Sequence, residues 1–150
     1  MSTSQLEMLT DLARGARDQA GKILAQERQT EQQTTAQLQS LLSYRAEYAE
    51  RLQKAMRDGI DPATMYNYQQ FLASLDAALS RARQALASQQ ASVERSKKNW
   101  QQEQRKLSSY DTLASRRLLE EHRRSERHEQ KTNDDLVTSR LARQHNDTPH

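Results

Sequence analysis

Residues 65–114 read MYNYQQFLASLDAALSRARQALASQQASVERSKKNWQQEQRKLSSYDTLA, and every seventh position is apolar: Met65, Leu72, Leu79, Leu86, Val93, Trp100, Leu107 and Ala114. The companion series, Tyr68, Leu75, Ala82, Gln89, Ser96, Glu103 and Tyr110, is apolar at both ends and polar in its middle. An α-helix turns once in about 3.6 residues, so a 3,4 alternation held over about seven heptads draws a single seam along one helix, the mark of a coiled coil. A long amphipathic helix packed in a globule has the same local pattern, but composition argues against a globule. Only 34% of the 150 residues are hydrophobic and 5% aromatic, against 29% charged, too little apolar matter for a sizeable core.

Three glycines and two prolines leave the chain almost nowhere to reverse, so it is built from very few, very long elements. Abundant Ala, Leu, Gln, Arg, Glu and Lys make those elements helices. The first arm has the same spacing in two apolar blocks: Leu6, Leu9, Ala13, Ala16, Ala20 and Ile23, then Leu38, Leu41, Tyr44, Tyr48, Leu52 and Ala55. Between them the positions from Glu27 to Gln37 are polar, so packing there is expected to be loose and held by propensity.

Punctuation falls at Met56-Arg-Asp-Gly-Ile-Asp-Pro-Ala-Thr. Gly59 suits the left-handed residue that ends a helix, Ile60 the apolar contact after it, Asp61 the next cap and Pro62 the first turn beyond. A helical bend at this point would instead give one continuous rod, but Gly-Ile-Asp-Pro favours interruption. The expectation is an all-α antiparallel coiled-coil hairpin over 1–140: helix 4–57, turn 58–62, a longer helix 63–140, and a disordered tail 141–150. Folding at Gly59 brings Thr34 to Leu86 and Ala20 to Trp100, where Ala16, Ala20 and Gly21 leave room for an indole.

The arms are unequal, about 80 Å against about 115 Å at the helical rise, so residues beyond 116 are expected to lack a partner on the first arm. This overhang, Arg116 to Lys131, is crowded with Arg and Glu and reads either as a solvated helix or as a surface for another protein. From Arg81 to Arg127 the chain holds 12 basic and 6 acidic residues, whereas residues 1–58 hold 8 of each, so the excess positive charge lies on the second helix. A net charge of +3 falls short of a dedicated nucleic-acid binder.

Enzymatic chemistry finds little to work with. There is no Cys, no Gly-rich phosphate loop, and His122 and His128 stand six apart on different helix faces, so no catalytic residue, cofactor or metal site is expected. A protein without Cys fits a reducing compartment, and Met1-Ser-Thr-Ser-Gln-Leu-Glu lacks the basic start and apolar run of a signal peptide. The cytoplasm is the expected location, with membranes reached only through partners or surface charge. Beside the seam, Phe71, Leu75, Ala78 and Ala82 form one helical ridge, of which Leu75 and Ala82 also belong to the seam. Phe71 at its edge either broadens the core near the turn or anchors a partner.

The segment Asn67-Tyr-Gln-Gln-Phe71, placed after Gly59-Ile60 and followed by Leu75, Ala78 and Trp100, resembles the FliJ family of bacterial flagellar protein-export components. Leu9, Asp11-Leu12-Ala13, Tyr44, Glu47-Tyr48, Leu52, Met56, Thr112-Leu113 and Gln130-Lys131 extend the likeness over most of residues 5–131. The resemblance implies a coiled-coil shaft in the pore of the hexameric flagellar export ATPase at the cytoplasmic base of the flagellum. It also implies binding to the membrane export-gate protein and to export-substrate chaperones, without nucleic acid and with the membrane met only through partners. Phe71, Leu75, Ala78 and Ala82 match the family's gate-binding ridge. Arg116, Arg117, Arg123, Arg124 and Arg127 form the basic column expected to contact the ATPase ring. Two other classes compete: a general escort that binds exported substrates through its seam, and a basic coiled coil whose affinity for nucleic acid falls steeply with salt.

Overall fold

A computed structural model describes residues 2–146 as two helices, α1 (Thr3–Asp58) and the longer α2 (Pro62–Asn146), packed against each other. At the start of α1 the Gln5 amide donates to the Ser2 hydroxyl at 3.2 Å while the Ser2 amide donates to the Gln5 side chain at 3.1 Å. This reciprocal pair satisfies two amides that the first turn leaves open. α1 ends because Gly59 takes φ +92°, a left-handed backbone that a Cβ would disfavour. α2 begins under Asp61, whose carboxylate accepts from the Thr64 amide at 3.3 Å and the Thr64 hydroxyl at 2.6 Å, with Pro62 as the first helical residue.

α2 runs to Asn146, six residues past the end expected at residue 140. Between Lys131 and Asn146 there is neither Gly nor Pro, and Leu136, Arg140, Leu141, Ala142 and Arg143 are good helix formers that outweigh the Asn133-Asp-Asp interruption. The remainder of the expected tail lies outside the described residues.

The chain divides into two compact units, one made of the chain up to Arg14 with the chain from Arg105 onward, the other of Gly15–Gln104. In the second unit, partners across the seam have numbers that add to about 120: Gly21 with Trp100, Arg45 with Asp76, Tyr48 with Phe71. Such pairing is antiparallel. A Cβ built on Gly21 would stand 3.3 Å from the Trp100 indole nitrogen, so the small residue is what admits the ring. Ala20, Leu24, Leu75 and Leu79 are buried here, and in the other unit Leu6, Ala13 and Leu107 are.

Every position of both α2 series, from Met65 to Ala114 and from Tyr68 to Tyr110, is buried or half-buried. On α1 the outcome differs from the spacing read in the sequence. Leu6, Ala13 and Ala20 do lie on the seam, but their companions are Thr10, Arg17 and Leu24; Ala16 and Ile23 are exposed, and Tyr44 is 55% exposed while Arg45 takes the inward place. An uninterrupted helix keeps one seam phase along its length. Leu38 and Leu52 require the companion four residues after each member of the main series, and that phase turns Ala16, Ile23 and Tyr44 outward.

The polar middle is bridged across the seam. The Gln89 side-chain amide donates to the Glu27 backbone carbonyl at 3.0 Å and to its carboxylate. Arg17 reaches Gln104 at 3.3 Å, and Arg45 grips both carboxylate oxygens of Asp76 at 2.9 and 3.5 Å. Polar contacts at seam positions fix register more than they add stability.

The turn gives two expected outcomes. Gly59→Ala places a Cβ on a left-handed residue and lowers unfolding free energy by about 1 kcal/mol in urea titration, with helix content unchanged. Bonds from Thr64 hold the Asp61 carboxylate below its usual pKa, so its contribution is present above the ordinary aspartate value and is lost as pH falls through the depressed one. Melting curves in acid should therefore show a loss of stability on acidification that is smaller in Asp61→Asn than in the parent.

Candidate functional site

Two surfaces carry the sequence-derived residues, one in each unit. The first is the ridge on α2 just after the turn. Phe71 is 41% exposed, and its ring lies 4.3 Å from that of Tyr48 on α1 at a tilt of 47°. Tyr48 is held on its other contact by Arg51, whose guanidinium sits 5.0 Å from the ring centre and is tied to Glu47 at 2.7 Å. Phe71 is thus not a loose side chain but the outer member of an aromatic stack, with a shallow recess beside it lined by Tyr48, Thr64, Asn67, Tyr68 and Phe71. Leu75, at 9% exposure, belongs to the core, while Ala78 and Ala82 are half-buried at the seam's edge.

At the residue after Leu75, the Arg45–Asp76 pair ties the helices together beside the ridge. Its hydrogen bond holds Asp76 below the usual carboxylate range and raises Arg45 above its ordinary value. The ridge therefore rests on a fixed pairing of the two helices. The Tyr48–Phe71 stack was not read from the sequence, although Tyr48 and Phe71 stand at numbers that the turn at Gly59 brings together.

The second surface is the arginine column of the other unit. Arg117 is half-buried and lines an apolar notch with Thr3, Leu6, Ala114 and Leu118. Arg116, Arg123, Arg124 and Arg127 are exposed, as is every described residue from Leu118 to Asn146. Arg123, Arg124 and Arg127 border one groove with Glu120, yet among the described residues none of the five arginines makes an ion pair. Glu126, next to Arg127 in sequence, pairs instead with His122 at 3.0 Å. A row of unpaired guanidiniums on one helix is a source of positive field and of bidentate donors.

Among the described residues no group of His, Asp and Glu could hold a metal ion, and no helix is long and apolar enough to cross a membrane.

The family model described as Flagellar FliJ protein matches residues 1–146. A Flagellar FliJ protein of Salmonella typhi is 34% identical over 122 residues, covering 79% of this chain and 83% of that protein. One of Escherichia coli (strain K12) is 33% identical over the same length. The solved structure of CT670 from Chlamydia trachomatis, described as a YscO homologue, superposes with a TM-score of 0.68 at 12% identity, covering 97% of this chain and 94% of that one, which is a likeness of fold.

Burial separates the ridge into a structural and an exposed part. Leu75→Ala is expected to cost about 2–4 kcal/mol in urea unfolding, because it empties a buried leucine site, and Phe71→Ala clearly less, because much of its ring already faces water.

Proposed function

The chain belongs to the FliJ family of flagellar proteins, and on that premise we propose that it is a non-enzymatic component of the flagellar protein-export apparatus. In this reading it serves as a coiled-coil shaft in the hexameric export ATPase, couples that ring to the membrane export gate, and engages the chaperones of export substrates. It works at the cytoplasmic face of the inner membrane, held there by its partners. The observation that carries the reading is the column Arg116, Arg117, Arg123, Arg124 and Arg127, which makes no ion pair within the described chain.

A single shaft inside a ring of identical subunits cannot present identical apolar knobs to all of them. Long, flexible cations that meet acidic groups at several angles suit that mismatch of symmetry. ATP chemistry then belongs to the ring, and the shaft biases ring states by contacting them unequally. The gate contact is assigned to Phe71, Ala78 and Ala82 with Leu75 beneath them, since Phe71 is an exposed aromatic held rigid by Tyr48 and so loses little freedom on binding.

Replacing the five arginines by alanine should abolish stimulation of the ATPase and leave gate binding intact, whereas Phe71→Ala should do the reverse. Each exposed pair contributes roughly 0–1 kcal/mol and is screened by salt, so single Arg changes should be mild and the difference between parent and variant should shrink as salt rises. An all-Lys set keeps much of the stimulation if attraction is general and loses it if bidentate geometry is required. Stimulation unchanged after all five Arg→Ala replacements would remove the shaft assignment for this surface.

A further inference from the structure

Burial is interrupted in the middle of the unit Gly15–Gln104. Among the described residues the last buried residue of α1 is Leu24, and on α2 burial stops at Leu79 and returns at Leu107. With partner numbers adding to about 120, Leu24 stands level with Ser96 and Leu79 with Leu41. About sixteen residues of each helix, roughly 24 Å of length, therefore hold no buried residue. On either side the helices are closely joined: Gly21 lies against the Trp100 indole with Ala20 and Leu24 buried, and Arg45 grips Asp76 with Leu75 and Leu79 buried.

Two further features fall at the same level. Glu27, Glu31 and Thr34 hold the seam places of α1, so the half-buried Leu86 and Val93 of α2 stand opposite polar side chains. Helix propensity is low on both helices here, with Thr30, Thr34 and Thr35 on α1 and Ser88, Ser92, Val93 and Ser96 on α2. The Thr30 and Thr34 hydroxyls donate back along their own helix, to the Gln26 and Thr30 carbonyls at 3.1 and 2.9 Å, and so hold nothing across the seam. Among the described residues, the hydrogen bonds that cross this stretch come from one side chain, the Gln89 amide, which donates to the Glu27 carbonyl at 3.0 Å and to its carboxylate.

We infer that this stretch is a joint built into the hairpin: residues 27–35 and 86–96 part and reclose as one local unit while the blocks on both sides stay paired. Opening here uncovers Leu86 and Val93, which are already half-exposed, and breaks the bonds from Gln89. Opening either neighbouring block uncovers buried leucine, Leu24 on one side and Leu75 with Leu79 on the other, which costs more. The block at Trp100 and the block at Asp76 can therefore bend or twist against each other with each left intact. Gln89 is the catch that holds the joint closed. The inference stands on the seam of this unit alone and does not rest on the export reading.

Amide hydrogen exchange, followed by mass spectrometry on the full chain, reads the joint directly. Protection in 27–35 and 86–96 is expected to be at least about tenfold lower than in the blocks 17–24, 41–48 and 72–79. Equal protection in all of these overturns the inference. Gln89→Ala removes the cross-helix bonds while keeping a good helix former, so exchange in the middle should rise about threefold with the neighbouring blocks unchanged. If the blocks speed up to the same degree, the seam opens as a whole and there is no joint. Glu31→Leu sets an apolar side chain at the polar seam and should slow exchange in the middle about fivefold, again with the blocks unchanged. A middle that exchanges as fast as in the parent would show that the polar seam is not what opens it, and would also overturn the inference.

Discussion

The left-handed backbone at Gly59 fixes where the chain reverses, and with it which residue of α1 meets which residue of α2. Asp61 and Pro62 then restart the helix almost at once, so no slack remains between the arms and the pairing register is set at the turn. Trp100 opposite Gly21, Asp76 opposite Arg45 and Phe71 opposite Tyr48 all follow from that one reversal. A shift by one residue would push the indole against side chains with a Cβ and separate the aromatic stack.

The seam that follows is thin. Among the described residues seven hydrophobic ones are buried, four of them in Gly15–Gln104, and the middle of the pairing is carried by Glu27, Glu31, Thr34, Gln89 and Ser96. Two helices can shield only a narrow strip from water, so much of the helical stability comes from propensity and from local caps. Polar bridges such as Gln89 to the Glu27 carbonyl contribute little net free energy, yet they penalise any register that would leave them unpaired.

The same geometry explains where interaction chemistry can reside. A two-helix surface leaves most of its side chains open to water. What it does offer is a rigid exposed aromatic beside the turn and, because α2 is the longer helix, a charged stretch whose faces have no intramolecular use. Unequal helix length is thus the structural source of the free arginines.

Most of the fold was legible from the residues. The two helices, the turn at Gly59 to Pro62 and every seam position of α2 follow from periodicity and cap chemistry, which are properties of short stretches of chain. The ridge and the arginine column were legible as patterns, with Leu75 already on the seam series, but what Phe71 meets was not, because its neighbour comes from the other helix. Likewise, Leu9, Ala16 and Ile23 on one side of the main α1 series and Leu38 and Leu52 on the other gave the seam of α1 two apolar phases to choose from. Packing along an unbroken partner settled it, turning Ile23 and Tyr44 outward and Leu24 and Arg45 inward. Only the tertiary structure could decide that phase, and with it the stack of Tyr48 on Phe71, because each is a contact between residues far apart in the chain whose geometry no local pattern encodes.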